Sequence, residues 1–413
     1  MLGAMAVVPL VGQDRSYGRS VVSNQYGIVA TSYVQASQAG ARVLEAGGSA
    51  IDAGIAANAV LGASEPMMNG MGGDLFALYW DARTGKLYGL NASGWSPQGL
   101  TLEHLKAKGL TAMPQVGIDS VTVPGAVDGW TKLHDRFGKL PWATLFQPAI
   151  FYAEHGVPVP EMIHDYWKAA ASGLQANAES RRVFLPGGTA PAAGQIFKNP
   201  DLAHALRLVA EQGESAFYRG PIAEAILKTS AEQGGTMTAE DLAQYSAEWV
   251  EPVSTQYRDW TVYELPPNGD GIAALEMLNI MEQFAPDPAG AHSAGALHTR
   301  IEAMKLAYAD VKRYDGDPRF SQIPVQELLS KEYAAGRAKL IDPAKANCDV
   351  APGALHGSDT TYLSVVDRDG NILSLIQSNY QEFGSGITVS GMGFALQDRG
   401  GLFSFDPQSP NAL

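Results

Sequence analysis

From Gly27 the chain reads GIVATSYVQASQAGARVLEAGGSAIDAGIAANAVLGASEP, a short apolar strand and then two segments with helical spacing. Gly47 and Gly48 stand between them as a helix stop. Both segments are rich in alanine and glycine, small enough to let helices lie close to one another or to a sheet, which predicts that they are buried. After Pro66 comes the loop MMNGMGGD. Strands are then predicted near Leu75–Trp80 and Lys86–Asn91, joined by a turn at Thr84 and Gly85.

From about Thr101 to Leu340 the spacing is mainly helical. Segments fall near Ala126–Phe137, Trp142–His155, Asp201–Gln212, Ile222–Glu232, Ile272–Gln283 and His298–Tyr314. Short strands near Val250–Gln256 and Thr261–Glu264 interrupt them. No fixed period recurs, which argues against a solenoid. Asp342 to Asp359 mixes proline, glycine and polar residues with neither period and reads as an exposed connector.

Beyond the connector the pattern changes to TTYLSVV, DRDGN, ILSLIQS: strand, turn, strand. Both strands are apolar on both faces, as in a sheet buried between two layers. A three-residue loop Arg368-Asp369-Gly370, with Gly370 left-handed, would pair Thr360 with Ser378. A two-residue Asp-Gly turn would pair it with Asn379. In either register a threonine at a strand start faces a small polar residue.

Composition narrows the class. With 413 residues, 46% hydrophobic and 17% charged, the chain can bury the core of one large domain or two closely joined ones. Its net charge of -14 and pI near 5.0 repel phosphates, which excludes nucleic acid and anionic membrane as partners. No run reaches the roughly 18 apolar residues of a membrane span, so a soluble protein is expected. The opening MLGAMAVVPLVGQDR has no basic n-region and a short, broken apolar run. It gives no signal peptide, and a cytoplasmic location is expected, with periplasm or secretion left open. The single cysteine, Cys348, forbids an internal disulfide and reads as packing or incidental.

A threonine hydroxyl is a weak nucleophile without a base beside it. Its own α-amino group becomes that base once the preceding peptide bond is broken. Asp359-Thr360-Thr361 supplies the connector, the bond and a threonine opening a core strand, although β-propensity alone also places Thr-Thr at a strand entrance. The rival motifs are weaker. NGMGGD follows a helix and precedes a strand, with no lysine after it, so its glycines read as tight backbone packing rather than a phosphate cradle. LPPNGDG reads as a turn before a helix that could line a pocket. Neither HExxH nor GxSxG occurs, so no metal, no cofactor and no serine elbow are expected. Glu302 and Asp310 read as a salt-bridged or solvated face, not a carboxylate dyad.

The segment DTTYLSVVDRDGN at Asp359–Asn371 and FGSGI at Phe383–Ile387 resemble the small-subunit start of the γ-glutamyltransferases, members of the N-terminal nucleophile hydrolase superfamily. Upstream matches run in the same order: AGGSAIDA from Ala46, EPMMNGMGGD from Glu65, VTVPGAVDGW from Val121, GGTMTAEDLAQY from Gly234, LPPNGDG from Leu265 and AYADVKRYDGDP from Ala307. The resemblance implies an α+β fold, an αββα sandwich with a large helical portion. It divides the chain into a large-subunit-like region, 1–359, and the start of a small-subunit-like region, 360–413. It implies autocatalytic cleavage between Asp359 and Thr360, then acyl transfer from an amide to water or an amine through an acyl-threonine ester. The partners implied are a small-molecule amide, such as a glutathione-type γ-glutamyl substrate, and the two fragments of the chain itself; a homo-oligomer is left open.

Residue by residue, Thr360 matches the family nucleophile and Ser378 a hydroxyl residue close to it, in agreement with the three-residue register. Three substrate-binding positions depart. Ser93 stands where the family anchors a carboxylate with arginine, and Tyr380 and Leu402 stand where asparagine and aspartate hold the α-amino group. Each lost charge-assisted bond is worth roughly 1.5–3 kcal/mol. Arg399 is the candidate for a cation arriving from a new direction. Two enzymatic readings follow: a γ-glutamyl hydrolase or transferase, and an acylase on a less polar acyl amide, cephalosporin-acylase-like. The resemblance also implies a longer small subunit carrying paired oxyanion-hole glycines, and the sequence reads as stopping short of it. That adds a third reading, a non-catalytic fragment or degenerate homologue.

Overall fold

In the computed structural model, which describes residues 21–348 and 359–413, six strands form one antiparallel sheet. They are β1 (Gly27–Ala30), β2 (Asp74–Asp81), β3 (Lys86–Ala92), β4 (Glu248–Val250), and, after the hairpin β5 (Val253–Tyr257) and β6 (Trp260–Glu264), the long pair β7 (Asp359–Asp367) and β8 (Ile372–Tyr380). The sheet order is β1-β7-β8-β2-β3-β4, so the last hairpin is central and the first two strands of the chain lie on either side of it. Of the expected connector, 349–358 lies outside the described residues.

Alternation along these strands sends Leu75, Ala77 and Tyr79 of β2, Leu363 and Val365 of β7, and Leu373 and Leu375 of β8 to one buried face. Helices α1 (Val34–Glu45) and α2 (Ala50–Ser64) pack over it. α2 is apolar all round, as a helix enclosed on every side must be, and 14 of its residues are buried. Its small residues set how close it lies, since a Cβ on Gly54 would stand 2.2 Å from Leu373 Cδ2. Ser49 and Asp52 cap its N-terminus reciprocally. Of the alanine-rich segments, α2 is buried as the sequence predicts, whereas α1 is buried along one face only, through Ala36, Ala39, Gly40, Val43 and Leu44.

The opposite face carries the side chains of Thr360, Tyr362, Val366, Ile372, Ile376, Trp80 and Ile28, placed together by the strand pairing. The last six are between 38% and 54% exposed. The expectation of apolar character on both faces therefore holds. Among the described residues the helical layer covers one face, and no second sheet covers the other.

Two expected elements are divided, each by proline. The strand near Val250–Gln256 splits at Glu251-Pro252: β4 joins the main sheet, Val250 pairing with Gly89, and β5 pairs with β6 apart from it. Proline has no N–H to continue a ladder. The helix near Trp142–His155 breaks into Trp142–Leu145 and Gln147–His155, with Pro148 in the first turn of the second piece. Helices Glu161–Gln175 and Ala178–Phe184 add to the helical middle. Farther on, α3 (Gly271–Met281), α4 (Ala294–Tyr314) and α5 (Lys331–Ala338) form a helical lobe. Glu302 pairs with Lys305 at 2.6 Å and Asp310 with Arg337 at 2.8 Å, so both carboxylates are salt-bridged as expected. His292 precedes α4 and shares no helix with His298.

Candidate active site

The turn at the far end of the central hairpin decides what Thr360 meets. Gly370 is left-handed, with φ +82°, and its N–H donates to the Asp367 carbonyl at 3.0 Å. Asp367 then organises the turn: Oδ1 accepts the N–H groups of Asp369 and Asn371, and Oδ2 accepts Asn371 Nδ2 at 2.9 Å. Oδ2 also accepts the N–H of Ala50, the first residue of α2, at 3.1 Å. A carboxylate at a helix N-terminus meets unpaired donors and the positive end of the helix dipole. The hairpin is thereby locked to α2 in the three-residue register, and Thr360 pairs with Ser378.

At the other end of the hairpin the Thr360 hydroxyl donates to Ser378 Oγ at 3.0 Å. The same oxygen accepts the Tyr380 N–H at 2.8 Å. The ladder slips between Ser378 and Tyr380, and Tyr380 takes φ +80°, a bulge of the kind that re-aims a strand end. On the other side of Ser378 its ladder partner is Asp74. The Asp74 carboxylate takes Arg399 Nε at 2.7 Å and Nη2 at 3.1 Å, and the guanidinium lies 4.8 Å from the Tyr380 ring centroid. Burial pushes the Asp74 carboxyl up, with Arg399 pulling it back. Asp398 accepts the Gln381 N–H at 3.1 Å, and burial pushes its carboxyl up to about 7.

Glycines allow these strand ends to meet. A Cβ on Gly73 would stand 2.1 Å from the Ser378 carbonyl oxygen, and one on Gly72 2.0 Å from that of Ala395. Gly72 and Gly73 of NGMGGD are packing glycines, as the sequence suggests, whereas a Cβ on Gly70 would meet nothing within 4 Å.

Ser93 follows Ala92, which pairs with Leu75, so it sits beside Asp74 at the same end of the sheet. Its hydroxyl donates to Asn91 Oδ1 at 2.7 Å and accepts from Asn268 Nδ2 at 3.1 Å. Asn91 Nδ2 returns a bond to Asn268 Oδ1 at 2.7 Å. These bonds dock the LPPNGDG loop on the face that carries Thr360, where a Cβ on Gly269 would come 3.8 Å from Phe76. Asp270 of this loop feels Arg399, which opposes the upward push of burial on its carboxyl. Past the loop lies a cavity of about 700 Å³ with Pro266, Pro267, Tyr314, Ile323 and Pro324 in its wall. Leu402 is exposed at the end of the short turn Arg399–Leu402; the described contacts do not tie it to the Thr360 cluster.

The structure thus brings together Thr360, Ser378, Tyr380 and Arg399, with Ser93 close by and Leu402 apart. Sequence reasoning missed Asp74, Asn268, Asp270 and Asp398. Asp74 and Asn268 stand in the motifs NGMGGD and LPPNGDG, whose glycines and prolines are the stronger local signal. Among the described residues no three His, Cys, Asp or Glu side chains converge to hold a metal ion.

A threonine opening a central strand of an antiparallel sheet, with a helical layer behind it, fits the architecture of the N-terminal nucleophile hydrolases. Within that class the chain belongs to the gamma-glutamyltranspeptidase family, whose model matches residues 36–413. It is 38% identical to the glutathione hydrolase-like YwrD proenzyme of Bacillus subtilis over 396 residues, covering 96% of this chain and 74% of that one. It is 34% identical to the glutathione hydrolase proenzyme of Escherichia coli, covering 94% and 69%. Among solved structures, the cephalosporin acylase from Bacillus halodurans superposes with a TM-score of 0.87 at 43% identity, covering 98% of this chain and 76% of that one. The chain is a self-processing hydrolase of this family, an enzyme with an α+β fold.

Proposed function

We propose that the chain cuts itself between Asp359 and Thr360, and that Thr360 then serves as an N-terminal nucleophile on a γ-glutamyl amide of glutathione type. The observation that carries this reading is the hydroxyl of Thr360 held at 3.0 Å on Ser378 at the entrance of the central strand. Thr360 Oγ1 adds to the amide carbonyl carbon while its freed α-amine takes the hydroxyl proton. The amine hands that proton to the departing nitrogen as the C–N bond breaks, leaving an acyl-threonine ester. Water or a second amine, deprotonated by the same α-amine, attacks the ester and restores Thr360. The parts of the chain before and after the cut stay together. Arg399 anchors the acyl group's carboxylate: with Nε and Nη2 on Asp74, its remaining donors are left for a ligand. Ser93 and Tyr380 border the acyl pocket, and Leu402, standing apart, does not.

A second reading, an acylase on a less polar acyl amide, draws support from the buried ring of Tyr380 and from the cephalosporin acylase likeness. One experiment separates the two. Intact-mass analysis is run on the wild type and on Thr360→Ala, and the wild type is assayed on a γ-glutamyl anilide and an aliphatic acyl anilide. The expected result is two fragments meeting at Thr360 in the wild type, one uncut chain in the variant, and faster release from the γ-glutamyl compound. Faster release from the aliphatic compound selects the second reading. An uncut, inactive wild type rejects both.

A further inference from the structure

Tyr380 stands at φ +80°, a backbone conformation that a bulky side chain keeps only when its surroundings hold it there. Two contacts do so. Its N–H is donated to Ser378 Oγ, and its ring lies against the Arg399 guanidinium, a cation over an aromatic face. Asp74 grips that guanidinium through two of its nitrogens. Asp74 is itself 1% exposed and is fixed to Ser378 by the ladder. The contacts therefore close a ring, from Asp74 to Arg399 to Tyr380 to Ser378 and back through the backbone. In that ring Ser378 is the member hydrogen-bonded to Thr360.

We propose that Asp74 is a positioning residue for the nucleophile: it holds Arg399 on Tyr380, which keeps the Tyr380 N–H on Ser378 and the Ser378 oxygen on the Thr360 hydroxyl. The inference rests on the reading of Thr360 as the nucleophile and adds the residue that sets its geometry. A Ser378 oxygen fixed by a backbone donor presents its lone pairs in one direction, and the Thr360 hydroxyl is aimed accordingly. Without the salt bridge the guanidinium is free to leave the ring, Tyr380 relaxes out of the left-handed conformation, and Ser378 loses the donor that orients it.

The test is Asp74→Asn, nearly isosteric and unable to hold the cation by charge. Two quantities are read: the steady-state constants, and hydrogen exchange at the amide of Tyr380 against that of Leu375 in mid-strand. The expected result is a fall in kcat of about tenfold or more, alongside whatever rise in KM follows from loosening Arg399. Exchange at Tyr380 should be accelerated at least about tenfold while Leu375 stays protected. A change in KM alone, or a Tyr380 amide as protected as in the wild type, overturns the proposal. Should Leu375 also lose protection, the double variant Asp74→Asn/Arg399→Met, which buries no lone charge, is read by hydrogen exchange alone, with faster exchange at Tyr380 and a protected Leu375 expected and an unchanged Tyr380 amide overturning the proposal. An uncut, inactive wild type would overturn the proposed function, and the exchange measurement would still decide whether Asp74 holds this geometry.

Discussion

Thr360 and Ser378 were legible in the sequence because one short turn relates them; once the loop length is fixed, the ladder does the rest. Asp74 and Arg399 stand at opposite ends of the chain, and no local pattern announces their pairing. Asp398 is hidden for the same reason, since the N–H it accepts belongs to Gln381 on a separate segment. It carries a prediction of its own. Burial raises its carboxyl from 3.8 to about 7, so folding favours the protonated form. The stability contributed is fully present below about pH 4 and is lost as pH rises through about 7, at most about 4 kcal/mol for a shift of this size. Asp398→Asn mimics the protonated side chain and keeps an oxygen for the Gln381 N–H. Denaturation midpoints should match the wild type near pH 4 and exceed it at pH 8; a constant difference across that range would show that Asp398 does not titrate there.

At the scale of the element, the central hairpin depends on a residue that reads as an ordinary turn aspartate. Asp367 is 4% exposed and accepts hydrogen bonds from Asp369, Asn371 and Ala50. It ties the β7–β8 turn to the start of α2, while Asn371 Oδ1 accepts the Ala82 N–H at 3.0 Å and ties it to the end of β2. The DRDGN signal was enough to predict a turn and to leave two registers, and the contact with α2 selects between them. Sequence reasoning stopped there because Ala50 lies hundreds of residues upstream. Asp367→Ala leaves several buried N–H groups unpaired, at a cost of roughly 2–4 kcal/mol. It should lower the denaturant midpoint accordingly and slow self-cleavage, since the register that seats Thr360 on Ser378 loses its lock. Asp369→Ala, at the exposed pair with Lys139, should leave both within error. Equal effects from the two variants would mean that the turn's exposed charges, not the bonds to α2, hold the register.

At the scale of the molecule, the apolar character of both faces of β7 and β8 was legible from alternation, and so was the need for two covers. What alternation could not show is which cover the described residues provide. Helices enclose the face of Leu363 and Leu373, and among the described residues no helix or sheet encloses the face of Ile28, Trp80, Tyr362, Val366, Ile372 and Ile376. Six large apolar side chains in ladder contact form a patch of the kind that soluble monomers seldom expose. Sheets that cover such a face pack about 10 Å from it. The net charge of -14 opposes association in general, yet this face offers contact without placing carboxylates against one another. The chain as described should therefore bind an apolar fluorescent dye and self-associate, the more so as salt screens its charge. Val366 and Ile372 are cross-strand partners at the turn end, away from Thr360. Val366→Glu with Ile372→Lys sets opposite charges side by side on the open face. That pair should reduce dye fluorescence and shift sedimentation toward the monomer while self-cleavage proceeds at the wild-type rate. Undiminished dye binding would place the exposed apolar surface elsewhere, and loss of cleavage would show that the turn end of the sheet communicates with the strand entrance where Thr360 sits.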